Sequence, residues 1–158
     1  MAQTPAAEND VRLKPSGWLL RAESDLANAI NTHAVATTDY DATTLDLLVR
    51  LSQSSAKRMR GVELCGQLHK SPSHVSRLVD RAEAKGLVER VPDPDDRRAH
   101  LITLTAEGDA EVAEFLPHLN DVLQKVIFDT LSKDEIQTLI GLLSRISAAA
   151  CDLQHNER

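Results

Sequence analysis

Between Ser71 and Thr105 the hydrophobic period of the chain switches from helical to alternating, with a stop signal at each join. Lys70-Ser71-Pro72 ends one segment and restarts another, since Ser71 suits an N-cap and Pro72 the first helical turn. A helix is predicted over Ser73–Lys85, with Val75, Leu78, Val79 and Ala82 on one face. Gly86 then closes it in the left-handed conformation that glycine adopts without strain. Leu87–Val91 reads as a short strand, Pro92-Asp93-Pro94-Asp95-Asp96 as a turn, and His100–Thr105 as the return strand. A capped helix feeding an antiparallel hairpin with a charged tip leaves few architectures open.

The flanks narrow them further. A first helix is predicted after Pro15-Ser16, carrying Leu19, Leu20, Leu26, Ile30 and Ala34, with a break at Thr37-Thr38-Asp39. A second runs from about Thr43 to Leu51. Residues 52–61 read as a polar, basic linker. A short third helix, Val62 to about His69, is expected to turn Val62, Leu64, Cys65 and Leu68 inward. After the hairpin, Thr105 can cap a long helix bearing Val112, Phe115, Leu119 and Val122, with a kink expected at Pro117. Ser132-Lys133-Asp134-Glu135 is a capping box that opens a last helix with Ile136, Leu139, Ile140, Leu143 and Ile146. Residues 1–12 lack periodicity and are expected to be a disordered tail. The fold class is therefore mainly α with a small β-hairpin wing. Residues 41–105 form a winged helix-turn-helix lobe, and 13–40 with 106–153 form a helical region whose wide apolar stripes suit pairing with a second copy.

Charge then bears on the partner. The chain of 158 residues carries a net charge of −6, but residues 57–98 hold ten of its 18 Lys and Arg against seven acids. That segment is locally basic, which is the requirement for a duplex DNA partner. With only two cysteines a disulfide framework is excluded, and a reducing compartment is expected. The first ten residues do not read as a signal peptide, and no stretch is apolar and long enough to be a membrane helix. A cytoplasmic protein with no membrane partner is the expectation.

The helix after Pro72 would present Ser73, His74, Ser76, Arg77 and Arg81 away from the core. Hydroxyls near a helix N-terminus suit phosphate oxygens. A guanidinium such as that of Arg77 can lie against guanine O6 and N7. At the hairpin tip, Arg97 and Arg98 suit a narrow minor groove, and neighbouring aspartates can hold a guanidinium in a fixed fork. An alternative is a winged-helix protein-interaction module that never touches DNA, which would want a neutral helix face where Arg77 and Arg81 stand. An enzyme is not expected: there is no Gly-rich phosphate loop, nucleophile elbow or metal triad. No metal or cofactor is implied. His33 and His118 show no ligand spacing, and Cys65 reads as a small core residue.

Residues 71–108, SPSHVSRLVDRAEAKGLVERVPDPDDRRAHLITLTAEG, resemble the core of the multiple antibiotic resistance regulator (MarR) family. Leu-Val-Asp-Arg, Lys-Gly-Leu-Val, the Asp-Arg-Arg wing and Leu-Thr-x-x-Gly are all present; Ala82 stands where the family usually has leucine. The resemblance implies a homodimer on palindromic operators of double-stranded DNA, released by a ligand. By position it implies DNA contacts from Ser71, Ser73, His74, Ser76, Arg77, Asp96, Arg97 and Arg98. It also implies a small aromatic or anionic effector. Trp18, Asp46 and Arg90 occupy places similar to those of a urate-responsive branch, although Asp46 lies in Leu-Asp-Leu-Leu and Trp18 sits closer in sequence than that branch has it. Competing readings are a dimer-core Trp18 and a simply exposed Asp46.

Overall fold

The computed structural model describes residues 13–96 and 99–156. The expected tail at 1–12, and the wing residues Arg97 and Arg98, lie outside the described residues. The chain divides into two compact units at Leu119/Asn120.

The first unit begins with α1 (Leu13–His33) and α2 (Ala42–Gln53). Helix α1 starts two residues before Pro15, which therefore lies in its first turn. There a missing N–H costs nothing, because first-turn donors have no helical partner. Helix α2 is capped by Asp41, whose carboxylate accepts the Thr44 N–H at 2.9 Å and the Thr44 hydroxyl at 3.1 Å. The expected start at Thr43 overlooked this cap.

The expected linker over 52–61 is not irregular throughout. Arg58–Arg60 form β1, which pairs antiparallel with β3 (His100–Leu104), while β3 pairs on its other side with β2 (Val88–Pro92). Three residues are too few to show an alternating pattern, so the strand was hidden. Two left-handed residues, Ala56 and Lys57, turn the chain into it.

Helix α3 (Gly61–Leu68) buries Leu64 and Leu68 and half-buries Cys65, but Val62 is 83% exposed. The expectation of an inward Val62 is corrected by helical geometry. Two residues separate it from Leu64, a rotation of about 200° that puts the two on opposite faces.

Helix α4 (Pro72–Ala84) follows the predicted pattern. The Ser71 hydroxyl caps the His74 N–H, Pro72 opens the first turn, and Val75, Leu78, Val79 and Ala82 are buried. At its end the Leu87 N–H donates to the Ala82 carbonyl and the Gly86 N–H to that of Glu83, around Gly86 at φ 74°. This paired closure needs the positive φ that glycine supplies. It drives Leu87 into a core shared with Leu47, Leu48, Leu51, Leu64, Leu68, Ile102 and Leu104. Thr105 caps α5 (Ala106–Leu123) as predicted, accepting the Gly108 N–H at 3.0 Å and donating to the Gly86 carbonyl at 2.7 Å.

Helix α5 crosses the boundary between the units. The helix continues past Pro117, and the pitch widens later, into a π-turn over Gln124–Phe128. The second unit ends in α6 (Lys133–Asn156). The predicted capping box opens it: Glu135 accepts the Ser132 N–H at 2.8 Å, and the Ser132 hydroxyl accepts the Glu135 N–H at 3.4 Å. The Ser132 hydroxyl also holds the Glu135 carboxyl below its ordinary range. No helix among the described residues is long and apolar enough to cross a membrane.

Candidate nucleic-acid interface

The sequence spacing of α4 separates its faces cleanly. Opposite the buried stripe, Ser71, Ser73, His74, Ser76, Arg77 and Arg81 are all exposed. Ser71 and Ser73 share a hydroxyl contact at 3.2 Å at the helix start, where unsatisfied N–H groups point outward. The Arg77 Nε donates back to the Ser73 carbonyl at 3.2 Å, so the guanidinium lies along the N-terminal half of the helix. Arg81 stands toward the other end. Its charge helps hold the Asp41 carboxyl low, where burial pushes upward but the Thr44 hydrogen bonds outweigh it.

Beyond its buried stripe, an ion-pair clamp ties α4 to β2. Arg90 on β2 donates to the Asp80 carboxylate at 2.5 Å and to that of Glu83, and its own N–H reaches Glu83 at 3.2 Å. At the helix C-terminus the Lys85 ammonium sits 4.5 Å from the centre of the Tyr40 ring, within cation–π range. Helix and hairpin are thereby joined by charge as well as by Leu87 and Val88.

The hairpin turn holds a second pair that the sequence reading missed. Asp93 is buried, in contrast to the exposed Asp95 and Asp96 beside it. Its carboxylate accepts the Arg60 Nε at 2.6 Å and the Asp95 N–H at 2.9 Å. The Arg60 guanidinium first, and the Asp95 N–H second, hold its carboxyl below the usual carboxylate range. This aspartate therefore serves Arg60, across 33 residues of sequence. The available signal was only that one of three clustered acids follows the strand directly.

Trp18, Asp46 and Arg90 are not brought together within this chain. Trp18 is exposed on α1, with the Arg21 guanidinium 5.7 Å from its ring centre. Asp46 pairs with Arg50 at 3.1 Å and lines a cavity of about 390 Å³ with Ile30, Val35, Val49, Lys70 and Phe115. Arg90 lines a different hollow, of about 750 Å³, between α3, α4 and the hairpin.

Residues 41–100 match the model of the MarR family. The multiple antibiotic resistance protein MarR of Escherichia coli is 32% identical over 106 residues, which span 67% of this chain and 74% of that protein. The chain belongs to the MarR family. The transcriptional repressor MdtR of Bacillus subtilis is 26% identical over 68% of this chain and 69% of its own. Among solved structures, a MarR family transcriptional regulator of Streptomyces coelicolor in complex with DNA superposes with a TM-score of 0.77 at 26% identity, covering 95% of this chain and 91% of that one. A mutant MarR of Escherichia coli complexed with operator DNA gives 0.73 at 27% identity, covering 87% and 99%. This MarR member is a DNA-binding transcription regulator of the winged-helix kind, as the order of its elements implied.

Proposed function

We propose that this MarR member represses transcription as a cytoplasmic homodimer on a palindromic operator. Two α4 helices would enter successive major grooves about one helical turn apart, with the hairpins over the flanking minor grooves. The observation that carries this reading is the exposed polar face of α4, held beside the hairpin by a shared apolar core and tied to it by the Arg90 clamp. In it Arg77 reads a guanine edge, and Ser71, Ser73 and Ser76 hold phosphates. His74 and Arg81 extend the contact along the groove, and Asp96, Arg97 and Arg98 form the wing contact. Residues 13–40 and 106–153 serve dimerisation. The exposed Leu139, Ile140, Leu142, Leu143 and Ile146 of α6 support that role.

The effector of this reading is a small aromatic or anionic molecule. The cavity beside Asp46 is mostly apolar, with Lys70 and Thr43 as polar handles, which suits such a molecule. Trp18 is the second candidate contact. Arg90 is the third; turning from Asp80 and Glu83 toward a ligand would loosen α4 from the hairpin.

The test is binding to a fluorescent duplex carrying the chain's own upstream intergenic region, against a scrambled duplex, at two salt concentrations. Preferential binding, weakened most at the specific site by Arg77→Ala, is expected. Absence of binding to either duplex at low salt would sink the proposal.

A further inference from the structure

Asp93 is out of place for a wing-turn residue. Its side chain is 2% exposed, in a turn whose other acids face solvent. A carboxylate removed from water persists as an anion only where donors replace its hydration. Here they come from two parts of the molecule: the Asp95 N–H within the turn and the Arg60 Nε at the far edge of the sheet. Arg60 is itself a junction. It ends β1, where it pairs with Leu101, and it is the N-cap residue of α3, its backbone N–H donating to Glu63 at 2.8 Å. Helix α3 packs on α4 through Leu64, Leu68 and Val75. One buried carboxylate thus connects the hairpin turn to the helix pair that presents α4. The turn lies beyond the last β1–β3 pair, Arg60 with Leu101, where the sheet narrows to two strands. A two-stranded ribbon is weakly held on its own.

We infer that Arg60 and Asp93 are a positioning pair for DNA binding, fixing the hairpin turn relative to α3 and α4 so that wing and recognition helix meet one duplex as a single rigid surface. The inference rests on the DNA-binding reading above. It assigns neither residue a direct contact with DNA. That makes a prediction against simple electrostatics. Removing a negative charge near a phosphate backbone should strengthen binding, whereas a positioning role requires it to weaken binding.

The experiment compares wild type, Asp93→Asn, Arg60→Gln and the double variant on the upstream and scrambled duplexes over a range of salt. Wild-type binding is measured first, and its absence on both duplexes overturns the functional reading and this role with it. Given binding, Asp93→Asn is expected to lose about tenfold in affinity and Arg60→Gln a similar factor. The double variant should be no worse than either single one, as for residues acting through each other. The dependence on salt should keep its wild-type slope. Arg60→Lys, which keeps a cation beside the carboxylate, should return to within about threefold of wild type, and it serves as the test if Arg60→Gln does not fold. Melting curves fix an assay temperature well below every transition, and a loss that disappears there would overturn the positioning role. So would unchanged or tighter binding by Asp93→Asn. A salt slope reduced by about one in Arg60→Gln, with Asp93→Asn neutral, would instead make Arg60 a direct phosphate contact.

Discussion

Helices α4 and α6 are built from similar apolar patterns and meet opposite fates. In α4 the stripe of Val75, Leu78, Val79 and Ala82 is sealed against leucines of α2 and α3 and against the sheet. In α6, Leu139, Ile140, Leu142, Leu143 and Ile146 remain 39–51% exposed. The period of a helix announces that a face must be covered, but not by what. The winged lobe finds its cover within a few dozen residues of its own chain. The proposed cover for α6 is a second copy.

The sharpest way to break this comparison is to shave both helices. Leu78→Ala removes a side chain with no exposure from a filled core, and is expected to cost about 2–5 kcal/mol of unfolding free energy in urea. Replacing Leu143 and Ile146 together with serine should leave the urea transition of the winged lobe nearly in place. It should instead shift the mass in sedimentation from two chains to one at micromolar concentration. A loss under about 1 kcal/mol for Leu78→Ala, or an unchanged mass for the α6 pair, would remove the contrast.

A second break tests how tightly the lobe closes on α5. Gly108 sits in the first turn of α5, where an added Cβ would come 2.1 Å from the Leu87 carbonyl oxygen and 2.8 Å from Leu104. The first of these is backbone, anchored by the Gly86 closure, and cannot swing aside. Gly108→Ala should therefore destabilise by about 1–3 kcal/mol, the range for overpacking, although alanine is the better helix former. Gly141→Ala in α6 meets nothing within 4 Å and should be neutral or slightly stabilising. Equal thermal midpoints for the two variants would show that the close approach is not limiting.

These contrasts explain what was legible in the sequence. Ser71, Pro72, Gly86, Thr105 and the Ser132–Glu135 box each start or stop a helix through backbone groups about one turn away, so those roles could be read from local chemistry. The exposed face of α4 followed from its period. The β1 strand, the exposure of Val62, the Asp41 cap and the Arg60–Asp93 pair were not seen. The strand and the ion pair are created by tertiary neighbours distant in sequence. Val62 was misplaced by counting an apolar residue as inward without turning the helix. The grouping of Trp18, Asp46 and Arg90 came from resemblance, and within the single chain they stand apart.

Acid provides a gentler probe of the same lobe. The Asp93 carboxyl is held below its ordinary value of about 3.9. A depressed folded value contributes stability that is present above the unfolded value and lost as pH falls through the folded one. The stability difference between wild type and Asp93→Asn should thus be constant from pH 5 to 7 and shrink below about pH 4. A difference that grew on acidification would reverse the sign assigned to this pair.

The smallest effect concerns strain, and it again separates the two regions. Between α2 and β1 the lobe carries two consecutive non-glycine residues at positive φ, Ala56 at 56° and Lys57 at 52°. The described part of α6 has none. Lys57 compensates by placing its ammonium 2.7 Å from both carboxylate oxygens of Asp109, and the Ser54 hydroxyl closes the turn on the Leu51 carbonyl at 2.7 Å. Ala56 makes no such side-chain bond, because a methyl group has none to make. Its left-handed backbone costs about 1–2 kcal/mol relative to glycine, while glycine loses about 0.4–1 kcal/mol more through the entropy of the unfolded chain. The two nearly cancel in favour of glycine. Ala56→Gly should therefore raise stability by about 0.5 kcal/mol, whereas Lys57→Gly, which also gives up the half-exposed Asp109 pair, should gain less. A clear destabilisation by Ala56→Gly would mean that the packed lobe holds this turn without strain.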